Sequence, residues 1–371
     1  MPPSIRRDIG QLLIGSLPGA TIPAELRSLA RDFGLGGVIL FARNIEAPEQ
    51  VAELAGDLQT LATDVPLWVS VDQEGGRVAR LKAPFTEWPP MAVLGRSGDV
   101  ALASRFASAL AAELRAVGIT LDYAPVLDIH TNPANPVIGD RALAADADLV
   151  ARLGAAIVRG LQDNGVAACG KHFPGHGDTS ADSHLDLPIV DHPPDRIRRV
   201  ELVPFREAVK ADVAFIMTAH VLIPSLDEHN PATLSRRIVS ELLRGEVGFN
   251  GVLLSDDLEM QALARTFDPA EAAVRAIAAG CDGVLVCRAQ ATDRSRDIDV
   301  QAEVLEALVH AVEDGRIAYK QLDDTLRRLR RAKERFLAAP AVPGRAPHHI
   351  QSDVLGCDAH RRIAEEMARY L

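Results

Sequence analysis

Residues 251–257 read Gly-Val-Leu-Leu-Ser-Asp-Asp, an apolar run that ends in two acidic residues. The run does not alternate between apolar and polar positions, which is typical of a parallel strand buried on both faces. A helix-like stretch follows at residues 269–279, where apolar residues recur at spacings of three and four. The segment therefore predicts one strand-and-helix unit of an α/β fold.

The same pattern of a short apolar run followed by an amphipathic stretch recurs along the chain and predicts eight strands in all. Eight such units indicate a single closed (β/α)₈ barrel, of the TIM type. The alternative, a doubly wound open sheet, would carry a glycine-rich fingerprint after its first strand, and residues 16–19 (Ser-Leu-Pro-Gly) do not match GxGxxG. The predicted strands are residues 11–15, 37–41, 67–72, 119–123, 166–171, 213–218, 251–255 and 283–287.

Two predicted connections, residues 73–99 and 173–195, are longer than a barrel needs, and long loops at the carboxyl ends of strands carry the chemistry of barrel enzymes. The sequence predicts residues 1–340 as one catalytic barrel. It predicts residues 341–371 as a linker and a C-terminal helix packed on or beside the barrel. The predicted helices include residues 48–61, 101–117, 146–164, 196–210, 235–244, 269–279, 319–337 and 352–371.

Charge and composition exclude several classes of partner. Forty Lys and Arg against 51 Asp and Glu give a net charge of −11, so no net positive field is available to hold nucleic acid. No apolar run approaches the roughly 20 residues that span a bilayer, and the start does not resemble a signal peptide. Four cysteines without a CxxC pair suit a reducing compartment. We therefore expect a soluble, cytoplasmic protein with no membrane or nucleic-acid partner and no evident obligate protein partner.

Polar residues stand where most of the predicted strands end. In a barrel such residues line the mouth, and a coincidence at six strand ends predicts a functional pocket there. The residues at these ends are Asp72, Asp122, Asp128, Lys171, His172, His220, Asp256, Asp257 and Arg288.

The loop at residues 171–184 holds three His, two Asp and one Lys among Gly and Pro residues. Its His and Asp side chains are potential metal ligands, which keeps a metal-dependent hydrolase as one interpretation. Against it, residues 14–16 (Ile-Gly-Ser) lack the His-x-His pair that metal-dependent amidohydrolase barrels place after their first strand. The other interpretation is general acid/base catalysis by a His oriented by a carboxylate, and Asp182 and His184 are spaced to form that pair.

Three segments resemble motifs of the bacterial glycoside hydrolase family 3 β-N-acetylglucosaminidases, the peptidoglycan-recycling branch. They are residues 71–78 (Val-Asp-Gln-Glu-Gly-Gly-Arg-Val), residues 171–178 (Lys-His-Phe-Pro-Gly-His-Gly-Asp) with 182–184 (Asp-Ser-His), and residues 255–258 (Ser-Asp-Asp-Leu). The resemblance runs from about residue 8 to residue 338, with the motifs in the family's order. It implies a retaining enzyme that removes terminal nonreducing β-linked N-acetylglucosamine from muropeptide fragments.

The resemblance also implies a role for each matching residue. Asp256 would be the nucleophile, with Asp257 as its structural neighbour, and His184 paired with Asp182 would be the general acid/base. A His with an ordinary pKa near 6.5 suits that role in a retaining mechanism. No metal ion or organic cofactor is expected. The substrate-binding residues implied are Asp72, Arg80, Arg141, Lys171 and His172.

Several alternatives stay open at this point. A His acid/base avoids a second anion beside the glycosyl-enzyme, which leaves phosphate as an acceptor in place of water. β-Glucosidases of the same family share the barrel and nucleophile, but usually carry a second domain for which this chain has little room. A sugar-binding protein on the same barrel is a further alternative. His176 and Asp178 either brace the loop or contact substrate.

Overall fold

In a computed structural model of the chain, residues 3–62, 65–180, 183, 186–289, 293–337 and 352–371 are described. Eight parallel strands close into a barrel in the order β1-β10-β9-β8-β7-β6-β3-β2, and β4 pairs with β5 in a separate antiparallel hairpin. The predicted (β/α)₈ barrel is confirmed. The strands are β1 (Leu13–Ser16), β2 (Gly37–Leu40), β3 (Trp68–Val71), β4 (Gln73–Gly75), β5 (Val78–Ala79), β6 (Leu121–Asp122), β7 (Ala167–Phe173), β8 (Phe215–Thr218), β9 (Val252–Asp257) and β10 (Gly283–Val286).

Helices surround the barrel, and within the described ranges none combines the length and apolar composition that a membrane span needs. Short 3₁₀ turns lie at Ala42–Asn44, Gly139–Arg141 and Ala232–Leu234, and a π-type helix lies at Arg237–Val247. The α-helices are α1 (Pro3–Gly10), α2 (Ala24–Phe33), α3 (Pro48–Gln59), α4 (Ala92–Ser97), α5 (Val100–Ala116), α6 (Ala147–Asp163), α7 (Pro194–Arg199), α8 (Leu202–Lys210), α9 (Gln261–Ala264), α10 (Pro269–Ala279), α11 (Asp297–Glu313), α12 (Tyr319–Phe336) and α13 (Asp358–Ala368).

The single helix predicted at residues 196–210 is wrong, because the chain breaks there into α7 and α8. Val200 leaves helical geometry, with φ −121° and ψ −73°. Pro204 explains the break, since a proline ring clashes with the carbonyl four residues before it and has no N–H to donate. The carbonyl in question belongs to Val200.

Aromatic rings fill the end of the barrel where the strands begin. Trp68 and Phe215 are the first residues of β3 and β8, and their rings meet edge to face with centroids 5.1 Å apart. Phe336 of α12 lies 6.4 Å from the Trp68 ring. This end is therefore packed with apolar side chains, which leaves the opposite end for polar residues.

The long connection predicted at residues 73–99 contains regular structure that the sequence did not predict, namely the β4–β5 hairpin and α4. The Gln73 side chain ties the hairpin together, accepting from the N–H groups of Arg80 (2.7 Å) and Leu81 (3.0 Å) and donating to the Leu81 carbonyl (3.0 Å). The Gln73 N–H donates to Asp122 Oδ1 at 2.9 Å. The hairpin is thereby fastened to β6, so the residues beside it are held in place.

The C-terminal segment packs against the side of the barrel through Glu113, a buried residue of α5. The Glu113 carboxylate accepts hydrogen bonds from Thr86 Oγ1 (2.6 Å), the Gly356 N–H (3.0 Å) and His360 Nδ1 (2.8 Å). Arg105 and Glu366 add a surface ion pair of 2.7 Å between α5 and α13. The helix predicted over residues 352–371 is shorter in the structure, where α13 spans Asp358–Ala368. The predicted domain boundary near residue 340 lies outside the described residues.

Candidate active site

The carboxyl ends of the strands bring four of the predicted substrate-binding residues together. Asp72 follows β3, Lys171 lies in β7, Arg80 follows the hairpin, and Arg141 ends a 3₁₀ turn after β6. Glu74 of β4 joins them. We call Asp72, Glu74, Arg80, Arg141 and Lys171 the mouth cluster.

Lys171 is the buried centre of the mouth cluster, with a side chain 2% exposed. Its Nζ lies 2.8 Å from Asp72 Oδ1 and 2.6 Å from Glu74 Oε1. Burial works against the charged amine, but the two carboxylates outweigh it and hold the pKa of Lys171 above its ordinary value. Arg80 Nη2 lies further out, 3.6 Å from Asp72 Oδ2. Lys171 is therefore a fixed cation at the floor of the mouth.

Glu74 pairs with Arg141 in a two-point contact, with Nε–Oε2 and Nη2–Oε1 distances of 2.8 Å each. Burial disfavours the Glu74 carboxylate, yet Arg141 and Lys171 lower its pKa below the ordinary range. Glu74 lies within the motif at residues 71–78, but the resemblance implies no role for it. The available signal was its place two residues after Asp72, since alternate residues of an extended chain share a face.

His172 is oriented by Asp128, which is fully buried behind it. His172 Nδ1 lies 2.7 Å from Asp128 Oδ2, and the His176 N–H donates to Asp128 Oδ1 at 2.7 Å. Burial opposes ionisation of Asp128, but the neighbouring histidines lower its pKa. Because Asp128 engages Nδ1, the Nε2 of His172 is the ring nitrogen left for a ligand.

Asp122 does not line the mouth as expected, because it is fully buried beneath the hairpin. Its Oδ1 accepts from Gln73, and within the described part of the chain its Oδ2 has no hydrogen-bond partner. Burial raises the pKa of Asp122 well above the ordinary value for an aspartate. Asp122 therefore supports the hairpin from below.

The two acidic residues that end β9 have different surroundings. Asp257 is 5% exposed and accepts hydrogen bonds from the N–H groups of Glu259 (3.2 Å), Cys287 (3.2 Å) and Ala289 (3.1 Å). Asp256 is only partly buried, and its Oδ1 accepts from the Asp257 N–H at 2.8 Å. Asp257 thus fastens the end of β9 to the chain after β10, while Asp256 is the more accessible carboxylate.

Asp182 and His184, the predicted acid/base pair, lie outside the described residues. Ser183 between them is described and buried. Its Oγ lies 3.0 Å from His176 Nε2, and its carbonyl accepts from the Ala262 N–H at 3.2 Å. Burial lowers the pKa of His176 to about 4, so the ring is neutral near pH 7.

His176 and Asp178 both make bracing contacts. His176 Nδ1 lies 2.8 Å from Thr179 Oγ1, and Asp178 accepts from Thr131 Oγ1 at 2.8 Å and contacts His192. These contacts join the loop after β7 to the loop after β6. They favour the bracing interpretation over substrate contact for this pair.

His220 and Arg288, for which the sequence predicted only a lining position, have structural partners. His220 is fully buried and uses both ring nitrogens, on Thr233 Oγ1 (2.8 Å) and on the Asp257 carbonyl (2.9 Å). Arg288 pairs with Asp297 at 3.3 Å.

In the described ranges, no group of three or more His, Cys, Asp or Glu has an arrangement suited to a metal ion.

Comparison with known proteins gives a consistent result. Residues 4–332 match the family model described as the glycosyl hydrolase family 3 N terminal domain. The chain is 40% identical to a β-hexosaminidase of Nitrosomonas eutropha, over 89% of this chain and 95% of that protein. It is 36% identical to β-hexosaminidase A of Pseudoalteromonas piscicida, but spans only 60% of that longer relative.

Solved structures agree in fold. A glycoside hydrolase family 3 β-N-acetylglucosaminidase from Paenibacillus sp. str. FPU-7 superposes with a TM-score of 0.90 at 41% identity, over 99% of this chain and 68% of that one. NagZ from Neisseria gonorrhoeae, solved in complex with N-trifluoroacetyl-D-glucosamine, gives 0.77 at 32% identity over 97% of both chains. The chain therefore belongs to glycosyl hydrolase family 3 and is a glycoside hydrolase of the β-hexosaminidase type.

Proposed function

We propose that the protein is a retaining exo-β-N-acetylglucosaminidase that acts on muropeptide fragments, with N-acetylglucosamine linked to 1,6-anhydro-N-acetylmuramic acid as its natural substrate. The observation that carries the proposal is the mouth cluster, which gathers Asp72, Arg80, Arg141 and Lys171 at the same barrel end as Asp256. The Paenibacillus relative is a β-N-acetylglucosaminidase, and the Neisseria relative binds a glucosamine derivative. Both support the sugar in this proposal.

Asp256 is the proposed nucleophile. A retaining glycosidase needs an ionised carboxylate that attacks the anomeric carbon and forms a covalent glycosyl-enzyme. Asp257 is poorly suited to that attack, because three backbone N–H groups hold its two oxygens. Asp256 is the more exposed of the two and ends the same strand.

His184 is the proposed general acid/base, oriented by Asp182. It first protonates the glycosidic oxygen as the bond to the leaving sugar breaks, and then removes a proton from the water that attacks the glycosyl-enzyme. A His does this near neutral pH without placing a second carboxylate beside Asp256. The contacts of Ser183 with His176 and Ala262 support a defined position for the chain between the two residues.

The mouth cluster and His172 are proposed to bind the terminal sugar. Asp72 accepts from sugar hydroxyl groups, and Arg80, Arg141, Lys171 and His172 donate to sugar oxygens. Buried, pre-oriented charged groups of this kind discriminate strongly against a sugar that lacks a matching partner. No metal ion or organic cofactor takes part in the proposed mechanism.

The proposal also covers location and organisation. Four free thiols, three of them buried, are consistent with a cytoplasmic, reducing compartment. We further propose the catalytic barrel at residues 1–340, with residues 341–371 as a linker and a helix carried on its side.

The test is release of nitrophenol from an aryl β-N-acetylglucosaminide and from an aryl β-glucoside, each with and without EDTA. We expect turnover of the first substrate only, unchanged by EDTA. Asp256→Asn should lower kcat by at least about 1,000-fold, and the matched variant Asp257→Asn by far less. Activity that EDTA abolishes would favour a metal-dependent hydrolase, and turnover of the glucoside alone would favour a β-glucosidase.

A second comparison separates hydrolysis from phosphorolysis. Products formed in phosphate buffer and in an inert buffer of the same pH are expected to be identical, with free N-acetylglucosamine released in both. Formation of a sugar phosphate in the phosphate buffer would replace the hydrolase proposal with a glycoside phosphorylase.

A further inference from the structure

We infer that Glu74 is a positioning residue, which sets the geometry of Arg141 and Lys171 for sugar binding. The inference rests on the proposed function, because it assumes that these two cations bind the terminal sugar. Glu74 itself does not reach a ligand, since its side chain is 1% exposed. Its effect on the reaction would therefore be transmitted through the two cations that it holds.

Both oxygens of Glu74 are occupied by these cations. Oε1 contacts Arg141 Nη2 at 2.8 Å and Lys171 Nζ at 2.6 Å, and Oε2 accepts from Arg141 Nε at 2.8 Å. A two-point carboxylate contact fixes the plane of a guanidinium as well as its position. Glu74 therefore fixes Nε and Nη2 of Arg141, and it leaves Nη1, which lies 3.4 Å from the Val137 carbonyl oxygen, as the nitrogen that donates to a ligand.

Glu74 also affects Asp72, because it binds a cation, Arg141, that would otherwise pair with the Asp72 carboxylate. The Asp72 side chain is 18% exposed, and among the described residues its Oδ2 has one ion-pair contact, with Arg80 Nη2 at 3.6 Å. Glu74 holds Arg141 through Nε and Nη2, so Arg141 does not turn onto Asp72, and Lys171 is shared between Glu74 and Asp72 Oδ1. Asp72 thus keeps an oxygen for a sugar hydroxyl.

A Gln at position 74 cannot reproduce this arrangement. An amide has one acceptor oxygen, and its NH₂ group would face one of the two cations with a donor. Arg141 and Lys171 would then lose the buried anion that they share, Arg141 would turn towards Asp72, and Lys171 would depend on Asp72 alone for a carboxylate within the mouth cluster. The site would stay cationic, but its donors would no longer match the sugar.

The first experiment compares Glu74→Gln with Glu113→Gln, a change of the same chemistry at a buried carboxylate that holds the C-terminal segment. We expect Glu74→Gln to lower kcat/KM for the aryl β-N-acetylglucosaminide about 100-fold, mostly through a higher KM, and Glu113→Gln to change it less than about threefold. A variant that merely folds poorly loses active molecules, which lowers kcat and leaves KM unchanged. That result for Glu74→Gln would overturn the inference.

The second experiment combines Glu74→Gln with Arg141→Ala. If Glu74 acts through Arg141, the fold-loss in kcat/KM of the double variant should be far smaller than the product of the two single fold-losses. Once the Arg141 side chain is removed, Glu74 has no guanidinium left to position. Losses that multiply fully would show independent roles and would overturn the inference. Should Glu74→Gln not fold, Glu74→Asp keeps the charge but is too short to reach both cations, and it should still raise KM at least about tenfold.

The wild-type assay separates this inference from the proposed function. Failure of the wild type to release nitrophenol from the N-acetylglucosaminide would contradict the proposed function. Normal turnover by the wild type, with a KM for both Glu74 variants equal to that of wild type, would contradict the inference alone.

Discussion

Asp256 and Asp257 are neighbours in the chain, yet their carboxylates have different partners. Three backbone N–H groups hold Asp257, and Asp256 is the more exposed. Asp72 and Glu74 differ in the same way, with side chains 18% and 1% exposed. At the scale of single residues, the role of a carboxylate in this mouth follows from what surrounds it, and not from its type.

Asp122 gives a prediction at this scale. Its pKa is raised in the folded protein, so the folded state keeps a proton that the unfolded state releases above about pH 4. Its contribution to stability is therefore full at acid pH and is lost as pH rises, by about 1.4 kcal/mol per pH unit up to the folded pKa. Asp122→Asn is neutral throughout and keeps an acceptor for Gln73.

The measurement is urea unfolding of wild type and Asp122→Asn between pH 4 and pH 8. We expect the variant to gain stability relative to wild type as pH rises above 4, until the pH reaches the raised pKa of Asp122 in the folded protein. If the difference in free energy of unfolding between wild type and Asp122→Asn stays constant across this range, Asp122 has an ordinary pKa in the folded protein.

At the scale of elements, the loops after β6 and β7 act as one unit. The N–H of His176 reaches Asp128, Asn135 Nδ2 donates to the His176 carbonyl at 2.9 Å, and Thr131 reaches Asp178. Gly177 lies against the other loop so closely that a Cβ there would come within 1.8 Å of the Ile129 carbonyl oxygen. The described parts of the two loops are therefore joined by hydrogen bonds and by close backbone packing.

Gly177→Ala tests this coupling. A backbone carbonyl cannot give way as a side chain can, so the loop after β7 should shift and carry Ser183 with it. We expect kcat/KM for the N-acetylglucosaminide to fall at least about tenfold while the circular dichroism of the barrel is unchanged. Gly19→Ala is the matched control, because a Cβ at Gly19 meets nothing within 4 Å. Equal activity of both variants would show that the loop tolerates displacement.

At the scale of the whole molecule, α12 closes the end of the barrel opposite the mouth. Its Lys333 is 3% exposed, and its Nζ donates to Gln11 Oε1 at 2.7 Å, just before β1. Burial lowers the pKa of Lys333 to about 7. Active-site chemistry and this buried amine thus lie at opposite ends of the same barrel.

We expect Lys333→Met to raise the free energy of unfolding at neutral pH. The unfolded chain binds the proton up to about pH 10.4, whereas the folded protein binds it only below about pH 7. The stability of the wild type therefore falls by about 1.4 kcal/mol for each pH unit as pH drops from 10 to 7, and is level below 7. Met is uncharged and similar in length to Lys. The substitution removes the hydrogen bond to Gln11, which lowers the free energy of unfolding by about 1 kcal/mol.

Thermal or urea unfolding at pH 7 and pH 10 checks this expectation. Lys333→Met should be more stable than wild type at pH 7, and the advantage should disappear at pH 10. Lys320→Met, at a side chain 85% exposed in the same helix, should change little at either pH. An advantage of Lys333→Met that is equal at both pH values would show that packing, and not the charge, accounts for it.

The sequence by itself determined the eight strands of the barrel, its closure and the family, because apolar runs and motifs are local signals that need no knowledge of distant residues. It also pointed to the mouth residues, since parallel strands bring their ends together. Only the tertiary structure decided which partners those residues have. Glu74 meets Arg141 67 positions away, and the burial of Asp122 depends on the hairpin that covers it. Ion pairing and desolvation act through space, so they appear only once the chain has folded.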